Sequence, residues 1–355
     1  MSTLTQTLEK IQPLNQSMVE QALARQNQLT KPPGSLGRLE ALSGQLAGIS
    51  QQLAPSLSRK QIVVMVADHG VAAEGVSAYP SEVTPQMIYN FLNGGAAINV
   101  LARQIGATVT VVDMGVAVPI VTDHPRFFDR KIAAGTQNIA RGPAMTQRQA
   151  RQAVETGIGI VDQLAETDGL DLLITGDMGI GNTTPSAVIV SVYAKIPLAE
   201  ATGRGTGVDD ARLNHKIQVA ERARQVNRPD PNDPLDALAK VGGFEIGGIA
   251  GLILGAAARR VPILIDGFIS TAGAILAAAL SPQVKDYMIA AHRSAEAGHQ
   301  AALDHLGLKP LLALDLRLGE GTGAALAAPL LDAAVRILND MATFTEAGVS
   351  NKNKK

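Results

Sequence analysis

Short, nearly unbroken apolar runs recur along this chain, and most end in a glycine-rich or acidic bend. "QIVVMVADHG" begins at Gln61, "ATVTVVDMG" at Ala107 and "LDLLITGDMGIGN" at Leu170. "VPILIDGF" follows from Val261, "VKDYMIAAH" from Val284 and "LKPLLALDLRLGEG" from Leu308. A strand with one wet face alternates apolar and polar residues. These runs mostly do not, so they suit strands buried on both faces. Helical patterns occupy the intervals, among them 82–105, 146–166, 210–225, 269–280 and 294–306. This alternation predicts an α/β fold, with a mostly parallel, Rossmann-like sheet covered by helices. Sheets of this kind take ligands beyond the carboxyl ends of their strands, which directs attention to the bends.

The ends of the chain differ from its middle. The first ~55 residues read as helices separated by "LTKPPGSLG", and 324–346 is again helical. Terminal segments often pack together. The expected division is a small helical domain from 1–58 and 324–350, a large α/β domain over 59–323, and a disordered tail at 351–355. At 355 residues and 46% hydrophobic, the chain can bury a large core. Its net charge of -1 offers no field for nucleic acid or an anionic membrane. Aromatics at 3% and the absence of Trp argue against base stacking as an activity. With no Cys there are no disulfides and no thiolate chemistry. The start lacks the basic-then-apolar pattern of a signal peptide, and no apolar run approaches ~20 residues, so a soluble cytoplasmic protein is expected.

Two glycine-rich bends are candidates for anion binding. In "ITGDMGIGNTTPSAVIV", an apolar run gives way to Gly176, Asp177, Gly179, Gly181, Asn182 and Thr183, and Pro185 marks a helix start. Glycines admit backbone N–H groups to an anion, and the helix dipole favours negative charge there. The same glycines would equally serve a tight packing turn. The bend is neither a Walker loop nor a dinucleotide fingerprint. The second bend, "GRGTGVDDARLNHK", contains Gly205, then Asp209 or Asp210 as a helix cap, then Lys216. Lys216 is either a solvated lysine or a phosphate partner. Five acids, Asp68, Asp113, Asp177, Asp266 and Glu320, end apolar runs and would ring one edge of the sheet. They suit a substrate or transition state with cationic character. The six histidines form no metal-binding pair, so no metal is expected, and no Gly-x-Ser-x-Gly elbow supports hydrolase chemistry.

Taken together and in order, these motifs resemble one family. They are "KPPGSLGRLE" from Lys31, "ADHGV" from Ala67, "YPSEVTPQM" from Tyr79, "GTQNIARGPAMT" from Gly135, "GDMGIGNTTPSA" from Gly176, "KVGGFEIGG" from Lys240, "LIDGF" from Leu264 and "RLGEGTGAAL" from Arg317. The chain resembles the nicotinate-nucleotide:dimethylbenzimidazole phosphoribosyltransferases of cobalamin biosynthesis along nearly its whole length. The resemblance implies a homodimer without cofactor. Its substrates would be nicotinate mononucleotide and dimethylbenzimidazole, its products α-ribazole phosphate and nicotinate, with inversion at C1′.

The resemblance also implies roles. Glu320 would take the proton from the attacking benzimidazole. Asp177 stands where many members have Glu and is one methylene shorter, so it suits electrostatic support or ribose positioning better than a second base. Gly176, Gly179, Asn182, Thr183, Gly205, Lys216 and Asp266 would hold phosphate and ribose. Tyr79, Gln86 and Asp68 would line the benzimidazole pocket. Two other activities fit the same residues: transfer to another azole or purine base, and mononucleotide binding without catalysis. One question about Glu320 is left to the fold. A helix start lowers a carboxyl pKa, whereas burial raises it.

Overall fold

The computed structural model describes residues 3–205 and 207–350. The five residues assigned to a tail lie outside that range. The chain begins with helices α1 (Thr3–Lys10), α2 (Gln16–Gln26) and α3 (Arg38–Ser50), then enters strand β1 (Lys60–Ala67). Next come α4 (Val83–Leu92), α5 (Ala97–Ile105), β2 (Ala107–Gly115), β3 (Phe127–Asp129), α6 (Gln147–Thr167) and β4 (Leu172–Met178). The middle is helical: α7 (Thr183–Ala194), α8 (Leu198–Ala201), α9 (Asp210–Asn227), α10 (Pro234–Val241) and α11 (Phe244–Ala258). The remainder is β5 (Ile263–Ile265), α12 (Phe268–Leu280), β6 (Met288–Ala290), α13 (His299–Leu306) and α14 (Thr322–Asp340).

The six strands form one parallel sheet in the order β3-β2-β1-β4-β5-β6. Period-two geometry sorts the apolar runs between two cores. From β1, Val63, Met65 and Ala67 face α6, α7, α11 and α12, while Ile62, Val64 and Val66 face α3, α4, α5 and α14. Every residue of β1 is buried, as its unbroken apolar run requires. The chain runs from β1 out to β2 and β3, then crosses back through α6 to β4 on the other side of β1, so the order reverses between β1 and β4. That reversal opens a crevice at the strand ends.

The terminal helices pack in two places. α2, α3 and the end of α14 share Ala22, Ala47 and Leu338, and Leu29 bridges to Thr343. α1 instead lies against α6 and α11. Among the described residues no helix is long and apolar enough to cross a membrane.

Several local expectations are corrected. The helix expected over 82–105 is two helices. Gly94, at φ 74°, ends the first, and Asn99 reaches back to cap the second by accepting the Ala96 N–H at 3.2 Å. The helix expected from 294 starts only at His299. The run from Leu308 forms no strand. It contains Pro310 and makes one isolated bridge, His292 to Leu312. Glu320 therefore sits not at the mouth of a last strand but in the turn that opens α14. β3 escaped notice because three residues carry no period.

Candidate active site

A cleft of about 510 Å³ lies over the carboxyl ends of β4 and β5. Apolar side chains of Tyr79, Val83, Met87, Phe268, Ile269 and Leu318 line one part of it. Asp177, Asn182, Thr183, His292, Ser294, Glu296, Arg317 and Glu320 line the rest. Among the described residues, four buried polar atoms of this lining have no hydrogen-bond partner: Asp177 Oδ1, Glu320 Oε2, Glu296 Oε2 and His292 Nδ1. Buried polar groups are ordinarily paired, so such a concentration marks a site completed by a ligand.

Glu320 is held in an unusual backbone. Gly319, Glu320 and Gly321 have φ of 83°, 63° and 94°. Left-handed backbone costs a non-glycine residue about 1–2 kcal/mol, so the surroundings must over-determine it. The Glu320 N–H donates to Asp177 O at 3.2 Å. Gly321 N and Ala324 N donate to the two carboxylate oxygens of Asp266, at 3.2 and 2.9 Å. Gly176 makes room, since a Cβ there would lie 2.5 Å from Glu320 O. The Glu320 carboxylate, buried in the cleft wall, accepts the N–H of Ile98 in the first turn of α5. Burial pushes its pKa up to about 7, the Ile98 N–H opposes this, and the nearby Asp266 charge adds to it. The competition between helix start and burial is thus won by burial.

Asp177 ends β4 and accepts the Asn182 side-chain amide at 3.0 Å. Burial first, then the Asp266 and Glu245 charges, raises its pKa well above the carboxylate range. That shift is toward the neutral acid, a form that can donate a hydrogen bond.

The part of the cleft at the start of α7 is suited to an anion. Thr183 begins α7, whose first-turn N–H groups lack intrahelical partners. Lys216 is only 1% exposed and donates to Thr183 Oγ1 at 2.8 Å and Gly203 O at 2.9 Å. It therefore joins the two glycine-rich bends from behind the cleft wall. Burial pushes its pKa down to about 8, against the pull of Glu296. Arg317 donates to Gly205 O at 2.7 Å and lines the cleft itself. Glu296 accepts the Gly205 N–H and lies near both cations.

Of the expected residues, Asp177, Gly179, Asn182, Thr183, Gly205, Glu320 and Tyr79 line this one cleft. The others do not. Gln86 is exposed on α4, while Val83 and Met87, on the neighbouring face of the helix, line the cleft instead. Asp68 is buried and accepts the Ala117 N–H at 2.8 Å, fastening the ends of β1 and β2. Asp266 lies behind the wall as a backbone clamp, and Gly176 packs on the Glu320 backbone. His292, Ser294, Glu296 and Arg317 were not singled out. Arg317 stood in plain sight as the only cation of the Glu320 turn, but Glu296 was masked by a helix expected too early.

Two expectations follow from this geometry. The Glu320 pKa is raised in the fold, from 4.5 to about 7. Its contribution to stability is therefore fully present below the unfolded pKa and is lost as pH rises through about 7, amounting to about 3 kcal/mol. Glu320→Gln should raise the melting temperature by about 4 °C at pH 8 but only about 1 °C at pH 5, measured by thermal unfolding. Gly176→Ala should displace Glu320 and lower kcat about a hundredfold while the far-ultraviolet circular dichroism stays native.

Comparison with known proteins gives the family of the chain. The family profile described as phosphoribosyltransferase matches residues 11–349. The nicotinate-nucleotide–dimethylbenzimidazole phosphoribosyltransferase of Roseiflexus sp. (strain RS-1) is 58% identical over 352 residues, which is 99% of each chain. That of Chloroflexus aggregans is 57% identical over 354 residues, covering 100% of both. The crystal structure of CobT from Thermus thermophilus superposes with a TM-score of 0.90 at 49% identity. It covers 94% of this chain and 99% of that one. The chain belongs to the nicotinate-nucleotide–dimethylbenzimidazole phosphoribosyltransferase family.

Proposed function

We propose that this enzyme transfers the phosphoribosyl group of nicotinate mononucleotide to dimethylbenzimidazole, with inversion at C1′, to give α-ribazole phosphate and nicotinate. One observation carries the reading. Glu320 is a buried carboxylate with its pKa raised to about 7 and an unpartnered oxygen, in a cleft that is also lined by apolar side chains. A protein that only bound a mononucleotide would have no use for such a base.

The chemistry follows from the charges. The donor's pyridinium departs by taking the C1′–N bonding pair, which leaves it a neutral ring and removes any need for a general acid. The acceptor's free ring nitrogen supplies the lone pair for the new C1′–N bond, on the face opposite the leaving group. That attack makes the acceptor cationic until its N–H proton moves to Glu320. The apolar wall of Tyr79, Val83, Met87 and Leu318 suits a flat aromatic ring. Neutral Asp177 suits a ribose oxygen. Gly179, Asn182, Thr183, Gly205 and Arg317, backed by Lys216, suit the phosphate.

We also propose that the enzyme works as a cytoplasmic homodimer. The shared packing of α2, α3 and the end of α14 supports a small helical domain drawn from both termini, with α1 attached to the large one.

The test is to incubate the purified protein with nicotinate mononucleotide and a panel of benzimidazoles, other azoles and purines, following nicotinate release and the anomer of the product. Release with benzimidazoles and an α product is expected. Release only with purines would favour a different base, and release with none would remove the enzymatic reading. Glu320→Gln should lower kcat about 10²–10⁴-fold while the nucleotide still binds by calorimetry. In the native enzyme, kcat/KM should fall about tenfold per unit below pH 7, as Glu320 arrives already protonated, and level off above it. Lys216→Ala should raise KM for the nucleotide more than it lowers kcat, as steady-state kinetics would show.

A further inference from the structure

Three of the sequence motifs, at 67–71, 135–146 and 240–248, place no side chain in the cleft lining. They meet beneath the glycine-rich bend that follows β4. Gly70 N donates to Thr136 O at 3.1 Å and Thr136 N to Asp68 O at 3.0 Å, which joins the first motif to the second. Ala144 N donates to Lys240 O at 3.1 Å, which joins the second to the third. At their junction His69 Nε2 donates to Glu245 Oε1 at 2.7 Å, since a carboxylate can only accept. His69 is 4% exposed and Glu245 0%. Gly243, the N-cap of α11, makes room for both, since a Cβ there would lie 2.4 Å from His69 Cε1 and 2.6 Å from Glu245 Oε2.

Stability is a poor explanation for this pair. Replacing a buried ion pair with apolar side chains of similar volume is often neutral or stabilising. The pair also leaves His69 Nδ1 and Glu245 Oε2 buried without a partner among the described residues, which native cores ordinarily avoid. Its neighbours are more telling. A Cβ on Gly179 would lie 3.4 Å from His69 Cδ2 and Nε2, and one on Gly181 would lie 3.6 Å from His69 Cβ. The imidazole therefore packs under the bend that leads into α7. Two hydrogen bonds fix the rest of that bend. Ile180 N donates to Thr84 Oγ1 at 3.1 Å, and the Asn182 amide donates to Asp177 Oδ2 at 3.0 Å. Gly179 and Gly181 have no side chain by which to be held, and glycine backbone is permissive, so packing from below must restrain them. Glu245 also acts on the site through its charge. After burial and the Asp266 charge, it is the next cause of the raised Asp177 pKa.

We infer that His69 and Glu245 are a positioning pair for the phosphate of the donor nucleotide. Glu245 fixes the imidazole ring, and the ring holds Gly179 and Gly181 so that the N–H groups at the start of α7 converge on the anion. Neither residue touches substrate. The inference rests on the phosphoribosyl-transfer reading and adds the reason why three motifs outside the cleft accompany those within it. Backbone donors bind an anion well only while their spacing is held. Slack in the bend must be removed on binding, and that ordering costs affinity.

The experiment measures KM for nicotinate mononucleotide and for dimethylbenzimidazole, and kcat/KM for nicotinate riboside as a donor without phosphate. The proteins are the wild type, Glu245→Gln, Glu245→Leu and the double variant His69→Leu/Glu245→Leu. Glu245→Leu should raise the nucleotide KM about 10- to 100-fold and leave the acceptor KM and the riboside kcat/KM within about threefold. Glu245→Gln keeps an oxygen for Nε2 and should stay within about threefold of the wild type on all of these. The double variant leaves neither partner buried without the other, so it should fold even where Glu245→Leu does not. Its nucleotide KM should match that of Glu245→Leu, because the two residues act as one unit. Equal rises in both KM values, a parallel fall with the riboside, or a wild-type nucleotide KM in the apolar variants would overturn the pair. So would a double variant far worse than the single one, or Glu245→Gln as impaired as Glu245→Leu. Calorimetry with the nucleotide alone gives the same comparison without turnover. A wild type that releases nicotinate normally while the variants fail these comparisons leaves the reaction standing. One that releases none with any acceptor removes the reaction itself.

Discussion

The Asp266 carboxylate fastens the reactive corner of this enzyme. It accepts backbone N–H groups from Gly267, Gly321 and Ala324, and so joins the end of β5 to the starts of α12 and α14. The left-handed turn at 319–321 depends on it, because Glu320, a non-glycine residue, is held there at φ 63°. Through that turn Asp266 sets where the Glu320 carboxylate lies, and through its charge it helps to set how basic Glu320 is. Its lone pairs are occupied by backbone donors, so it has little left to offer a ligand. That is why an acid expected to touch phosphate or ribose acts from behind the wall.

Burial has different consequences for each acid of the site. Asp177 is desolvated and lies among Asp266, Glu245 and Glu320 with one amide as partner, so its pKa is shifted toward the neutral form. Glu320 has a backbone N–H and one open oxygen, and it stays near the pH at which a base can both hold and release a proton. Glu296 is raised by burial but moderated by Lys216, the Gly205 N–H and Arg317. One cleft therefore offers a neutral donor, a tuned base and a cation-rich end. The stability forgone in burying Glu320 is bound up with its basicity, since the same desolvation produces both.

Much of the fold was legible because the sheet is buried on both faces. β1, β2, β4 and β5 each fall within an apolar run, and the helices between them keep their periods. The failures have separate causes. Leu308 begins an apolar run that Pro310 keeps from pairing as a strand. Gly94 divides a helical pattern whose two halves share a period. β3 is too short to show any period at all. In the site, Glu320, Asp177 and the glycine-rich bends were legible as punctuation at the ends of apolar runs. Gln86 lies off the cleft lining that Val83 and Met87 share, because a neighbouring position on a helix turns a side chain by about 100°.

Sequence by itself determined the layering of the sheet, the positions of the turns and the identity of the charged groups at them. These are local properties, carried by the period of apolar residues and by glycines and carboxylates at the ends of runs. Only the tertiary structure decided what each charge does. It placed Lys216 behind Thr183, turned Asp266 onto backbone donors and brought Ile98 from α5 to Glu320. It also brought His292 within 3.7 Å of Asp266. The pKa and availability of a buried group depend on solvent exclusion and on partners distant in the chain, and these are set only when the helices close over the sheet.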